Sequence, residues 1–156
     1  MGTEIERKFR MASDDWQSRG AGERFQQGYL SIDPERTVRI RLAGERAWLT
    51  IKGHNIGASR PEFEYDIPPP EARQLLALCI PPLIDKTRYR IPYGSHTWEV
   101  DVFHGDNAGL VIAEVELSAE DEVVALPDWI GEEVTGDPAY YNSNLIRHPY
   151  RTWEVD

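Results

Sequence analysis

A mainly β fold is predicted for this 156-residue chain: a closed eight-stranded antiparallel barrel with a few helices packed outside. Three observations lead there. Eight segments alternate apolar and non-apolar residues with the period of two that a strand imposes. Most connections between them are hairpin length and rich in Gly, Pro and Asp, which favours an antiparallel meander over βαβ units. The face opposite the apolar one is nearly pure charge, whereas an ordinary half-buried sheet mixes Ser, Thr and Gln into its solvent side.

The first strand is expected over Glu4–Met11, where Glu4, Glu6 and Lys8 alternate with Ile5, Arg7 and Phe9. Ser13 can cap a short helix over Asp14–Ser18, with Asp14 and Asp15 in its first turn. Strands follow at Arg24–Ile32 and, beyond Asp33-Pro34, at Thr37–Leu42, where Arg39 and Arg41 lie opposite Val38, Ile40 and Leu42. Ala43-Gly44-Glu45 turns the chain into Ala47–Lys52, and the stretch from Gly53 to Gly57 leads to Pro61–Ile67. That strand sets Glu62, Glu64 and Asp66 against Phe63, Tyr65 and Ile67.

A helix over Pro69–Cys79 opens with prolines, where a missing N–H is harmless, and closes before Pro81-Pro82. Asp85–Pro92 carries Lys86, Arg88 and Arg90, Thr97–Phe103 carries Glu99 and Asp101, and Leu110–Leu117 carries Glu114 and Glu116. Ser118-Ala-Glu-Asp and Pro127-Asp-Trp-Ile read as short helical or turn pieces. Asp137-Pro138, an N-cap followed by proline, starts a helix through Ile146. With no internal repeat or linker, one domain over residues 1–156 is expected, residues 146–156 forming a C-terminal tail.

Composition narrows the function. The net charge of −10 argues against a generic binder of nucleic acid or of an anionic membrane. Cys79 is the single cysteine, among Leu75, Leu76, Leu78 and Ile80, so a buried structural thiol and a reducing, cytoplasmic location are expected. The N-terminus shows no apolar signal region, and the longest apolar stretch, Leu75 to Ile84, is broken by prolines and too short for a bilayer.

The charged face is sorted by sign. Side chains two apart on a strand lie about 7 Å apart on one face, so each acid–acid or base–base pair adds repulsion along its own strand. A solvated sheet face predicts mixed signs, and a barrel lumen lined with charge explains the pattern better. Such a lumen needs neutralising partners. Clustered carboxylates suit hard cations such as Mg2+ or Mn2+, and Lys and Arg suit phosphoryl oxygens. The three lysines of the chain, Lys8, Lys52 and Lys86, all fall in lumen positions. Eight acids (Glu4, Glu6, Glu62, Glu64, Glu99, Asp101, Glu114, Glu116) face six bases there, a balance of −2, so most of the −10 lies on the exterior.

Glu4-Ile-Glu6-Arg-Lys8 resembles the ExExK signature of the CYTH superfamily, the triphosphate tunnel metalloenzymes. Gly28-Tyr29-Leu30, Val38-Arg39-Ile40-Arg41, Thr50-Ile51-Lys52, Glu62-Phe-Glu64, Lys86-Thr-Arg88, Glu99-Val-Asp101 and Glu114-Val-Glu116 follow in the family's order, and Gly136 to Leu145 resembles the closing segment of short bacterial members. The resemblance implies an eight-stranded tunnel that hydrolyses or cyclises triphosphates with divalent metal, two ions being expected. By position it makes Glu4, Glu6, Glu114 and Glu116 metal ligands, assisted by Asp101, Glu62 and Glu64. It makes Lys8, Arg39, Arg41, Lys52, Lys86 and Arg88 phosphate ligands, and pairs Lys8 with Tyr29 in catalysis. A second metal ion, or a carboxylate such as Glu114 or Glu64, is expected to activate the attacking water.

Inorganic tripolyphosphate is the expected substrate, because little in the chain offers a nucleoside or thiazolium pocket. Class IV adenylyl cyclase and thiamine triphosphatase share the scaffold and stand as alternatives; a non-catalytic phosphate binder would not need the carboxylates. Trp16, Trp48, Trp98, Trp129 and Trp153 are expected in core or rim packing, and His54, His96, His104 and His148 in surface or capping roles. Tyr140, Tyr141 and Asn142 are expected to anchor the last helix, with closure of one tunnel end implied by the resemblance. Arg90 is in inward register, with a structural salt bridge at the barrel end and a ligand role both open, and a homodimer is an expectation by analogy.

Overall fold

The computed structural model describes residues 2–153, so Met1 and the last three residues of the expected tail lie outside it. Its strands are β1 (Gly2–Met11), β2 (Gly22–Ser31), β3 (Thr37–Ala43), β4 (Arg46–Lys52), β5 (Ser59–Asp66), β6 (Ile80–Tyr93), β7 (His96–Phe103), β8 (Val111–Glu116) and β9 (Ile130–Glu133). All pairings are antiparallel, in the order β5-β4-β3-β2-β6-β7-β8-β1, and β5 pairs back onto β1 to close an eight-stranded barrel. One edge of β1 is shared: Gly2 to Ile5 pair with β5, and Phe9 and Met11 with β9, which lies outside the barrel.

Two strands depart from expectation, β6 and β9, and β6 does so at its start. It begins at Ile80, five residues early, and so runs through Pro81 and Pro82. There it pairs only with β2, since β7 joins from Lys86 onward, and a proline with no N–H is tolerated where one side lacks a neighbour. β9 was not expected at all; the segment from Pro127 makes a turn and then a strand on the upper edge of β1.

Helix is scarcer than the sequence suggests. Residues Asp14–Ser18 form hydrogen-bonded turns, with Asp15 N–H donating to Ser13 Oγ at 3.3 Å. The expected helix from Pro138 through Ile146 is split. Asp137 caps a 3-10 turn over Pro138–Tyr140, Tyr141 is extended, and α2 covers only Asn142–Leu145. Only α1 (Pro69–Leu78) is long, and it packs Ala72 and Leu76 on Ile40 and Ala47 of β3 and β4, with Cys79 beside them.

Much of the apolar core lies outside the barrel, on the outer faces of its strands. Phe9, Trp98, Val100, Ala113 and Val115 are covered by Trp16 and by the segment bearing Leu117 and Trp129. Inside one end of the barrel, Tyr29, Ile84, Phe103 and Ile112 share the inward face with Arg39, Gln27, Lys86 and Asp101 and are covered by Tyr140, Leu145 and Ile146, while Trp153 packs edge-on against Tyr140 and Tyr150. Irregular segments thus do much of the covering expected of helices. Phe63 and Tyr65 on β5 stay 45% and 56% exposed, because alternation marks a face as apolar without specifying what covers it. Among the described residues no helix is long and apolar enough to cross a membrane.

Candidate active site

The lumen holds a cavity of about 330 Å³. Period-two alternation turns Glu4, Glu6 and Lys8 of β1, Glu62 and Glu64 of β5, and Glu114 and Glu116 of β8 into it, together with Glu99 of β7. From the opposite wall come Lys52 of β4, Arg39 and Arg41 of β3, Tyr29 of β2, and Lys86, Arg88 and Arg90 of β6. The strand order gathers these by sign: β7, β8, β1 and β5 form a contiguous acidic half, and β4, β3, β2 and β6 a contiguous basic half.

Carboxylates crowd the acidic half. Glu6 lies directly across from Glu116, and Glu99 across from Glu114, an arrangement that like charges make unfavourable. Burial, then Glu114 and Glu4, push the Glu6 carboxyl up to about 8. Burial and neighbouring acids also raise Glu62 and Glu116. Glu4 runs the other way: burial works to raise it, but Lys52, with Nζ at 2.9 and 3.0 Å from its two oxygens, outweighs burial and lowers it. Among the described residues no three carboxylates are already gathered into a coordination cluster.

In the basic half Lys86 and Arg88 share Asp101, and Lys52 and Arg39 reach Glu4 and Glu64, whereas Arg41 has no carboxylate partner among the described residues. Arg41 Nε donates to Gln27 Oε1 at 2.9 Å, and burial, then Arg39 and Arg88, pull its guanidinium down to about 9. Phe25 lies beneath three guanidiniums, those of Arg41, Arg88 and Arg90, at 4.5, 5.2 and 5.9 Å from its ring centre. Arg39 donates to Thr50 Oγ1 at 3.2 Å, and its Nε is buried without a partner. At the mouth Arg90 pairs with Glu23 at 3.0 Å, and Arg46 stacks over Trp48.

Asp101 sits elsewhere. It is 1% exposed and is not among the cavity-lining residues. Its Oδ1 accepts from Arg88 Nε at 2.8 Å, and its Oδ2 from Arg88 Nη2 at 3.0 Å and Lys86 Nζ at 2.7 Å. Despite burial, Arg88 and Lys86 hold this carboxyl far below the usual range. Both oxygens of the expected assisting ligand are engaged, because the β6–β7 register places it directly opposite Arg88. Glu114 is similarly bound by Lys8 at 3.2 Å and Arg88 at 3.3 Å, which overcome burial and hold it down to about 2.

Lys8 and Tyr29 line the same cavity. The Lys8 ammonium pairs with Glu114, donates to the Tyr140 carbonyl at 3.3 Å and lies 5.6 Å from the ring centre of Tyr141. Tyr140 is a core residue, whereas Tyr141, Asn142 and Ser143 form one wall of the lumen. The break between the 3-10 turn and α2 makes this possible: Asn142 Oδ1 accepts from Gln27 at 2.9 Å and Lys86 at 3.0 Å, and Asn55 donates to Tyr141 Oη at 3.0 Å.

Several inward-facing residues escaped the sequence reading. Arg60 was hidden by starting its strand at Pro61, although it is in phase with Glu62 and Glu64. Gln27 and Thr50 are fully buried and in phase with the charged positions, and carried no charge to mark them. No histidine lines the cavity.

The sequence model for the CYTH domain matches residues 2–150. The chain belongs to the CYTH family. It is similar to an inorganic triphosphatase of Acetivibrio thermocellus, 48% identical over 155 residues covering 99% of each chain. It is also similar to an inorganic triphosphatase of Nitrosomonas europaea, 37% identical, covering 92% of this chain and 96% of that one. Among solved structures, an inorganic triphosphatase overlays with a TM-score of 0.65 at 31% identity, covering 91% of this chain and 96% of that one. The charged barrel is thus a CYTH barrel along its whole described length.

Proposed function

We propose that this CYTH protein hydrolyses the terminal phosphoanhydride of inorganic tripolyphosphate with Mg2+ or Mn2+. The observation that carries this reading is one cavity split into an acidic half, where burial and crowded carboxylates push Glu6 up, and a basic half, where burial and crowded guanidiniums pull Arg41 down. A polyphosphate anion paired with divalent cations relieves both kinds of crowding at once.

The acidic half fits hard cations. Its donors are carboxylate oxygens only, and the raised Glu6 carboxyl marks charge that a cation would compensate. Glu4, Glu6, Glu114 and Glu116, with Glu62 and Glu64, would hold two ions; Asp101 drops out of that set because Arg88 and Lys86 occupy it. When bound, the ions supply Lewis-acid charge to the phosphoryl oxygens. Lys8, Arg39, Arg41, Lys52, Lys86 and Arg88 hold the phosphate chain, and Arg60, lining the same cavity, joins them. Their fixed positions align the chain for displacement.

Water then attacks the terminal phosphorus, the bridging P–O bond breaks, and its electron pair leaves with pyrophosphate. Glu64, at the open side of the cavity, is the better base for the water proton; Glu114 is held too low by Lys8 and Arg88. Lys8 and Tyr29 stand along the wall to orient the phosphoryl group. Phosphate release should be measured from tripolyphosphate, ATP and thiamine triphosphate with Mg2+ or Mn2+, assaying cyclic AMP in the ATP reaction. Strong preference for tripolyphosphate without cyclic AMP is expected, and predominant cyclic AMP would overturn the reading.

Glu6 makes a pH prediction. Its carboxyl moves from 4.5 in the unfolded chain to about 8 in the metal-free fold. An acid raised on folding stabilises the fold below its unfolded value, and that contribution is lost as pH climbs toward the folded value. Thermal stability of the metal-free protein should therefore fall between pH 5 and 7. Mg2+ should restore more of it at pH 7, where the proton competes less. A melting shift by Mg2+ that is equal at the two pH values would remove Glu6 from the cation set.

A further inference from the structure

Lys52 belongs to the basic half by its strand and to the acidic half by its contacts. β4 abuts β5 with Lys52 directly opposite Glu62, and beyond β5 lies β1 with Glu4. The ammonium spans this seam: Nζ lies 2.9 and 3.0 Å from the two oxygens of Glu4 and 3.5 Å from Oε2 of Glu62. A monovalent cation thus stands in the fork of one carboxylate and against a second, among oxygen donors that suit a divalent ion. The Lys52 backbone is tied down, its carbonyl accepting from Thr37 Oγ1, whereas the side chain lines the open cavity on a flexible four-carbon stem.

We propose that Lys52 is the placeholder cation of the metal-free site. An arriving divalent ion displaces it from Glu4, since two cations cannot share that fork without strong repulsion. The displaced ammonium turns toward the basic half and adds to the phosphate-binding charge. Cation binding and polyphosphate binding are then coupled through one side chain, and the coupling is reciprocal: phosphate that draws Lys52 away leaves Glu4 free for the ion. The inference rests on the cation reading above and deepens it.

The chain has three lysines, so protein made with 13C at lysine Cε gives three signals, each assigned by its Lys→Arg variant. Mg2+ is titrated without phosphate, with calorimetry in parallel. The Lys52 signal should move most and saturate with the calorimetric Kd. Lys52→Met should bind Mg2+ roughly tenfold tighter than the wild type, because no ammonium has to be displaced. In the same variant the gain in pyrophosphate affinity caused by Mg2+ should shrink by roughly tenfold. If Mg2+ saturates the wild-type protein while the Lys52 signal stays in place, the placeholder role is wrong and the cation site stands. If the wild type binds no Mg2+, the cation reading fails and takes this one with it.

Discussion

Glu116→Gln should lower metal-dependent phosphate release from tripolyphosphate by two to three orders of magnitude, about the loss that follows removal of one preorganised electrostatic contact. The same variant should fold at least as well as the wild type. Glu116 is exposed to the cavity, faces Glu6 directly across β1 and β8, and has its carboxyl raised by burial, Glu4 and Glu99. Where both carboxyls are ionised, above the raised Glu6 value, removing one of the two facing charges relieves about 0.2–1 kcal/mol of repulsion, so the metal-free melting temperature should rise there by about 0.5–4 °C. An inactive but stabilised variant is the signature of a charge kept for a cation. Undiminished turnover, measured at saturating Mg2+ or Mn2+, would take Glu116 out of the site.

Asp101→Ala should have the largest effect on stability. It leaves Lys86, 1% exposed, and Arg88, 7% exposed, without the carboxylate that both touch. Breaking a buried ion network by removing one partner costs about 3–5 kcal/mol, which corresponds to a fall in melting temperature of about 10 °C or more for a chain of this size. Activity should fall as well, since Arg88 also reaches Glu99 and Glu114, and Lys86 holds Asn142 of the lumen wall. The measurement separates two roles for Asp101. A cation ligand would leave the metal-free melting temperature near that of the wild type and weaken Mg2+ binding instead.

Asp101 shows how far the sequence could be read. Its position in alternation with Val100 and Val102 correctly turned it to the charged side of β7. The β6–β7 register then set it opposite Arg88, and no feature of either segment alone announces that register. Arg60 was lost to a boundary drawn at a proline, though Pro61 sits inside β5. Tyr141 and Asn142 were read as part of a continuous helix, and the extended break at Tyr141 is what brings them to the lumen. The Tyr141 break depends on contacts with distant Gln27, Asn55 and Lys86, which a window of neighbouring residues does not contain, whereas the other two turn on a hairpin register and a strand boundary that periodicity alone leaves loose.

The amino-acid sequence specified the eight barrel strands, the face of each that carries charge and the sign of that charge, and from these came the expectation of hard-cation and phosphate chemistry. Pleating is local: a strand turns alternate side chains to opposite faces whatever it pairs with. The tertiary structure alone decided that the acidic strands β7, β8, β1 and β5 lie side by side opposite the basic ones. That arrangement follows from closing β5 onto β1, a contact between segments more than fifty residues apart. Closure turns acidic and basic strands into two facing walls, and it also sets Lys52 across the seam, in the grip of Glu4.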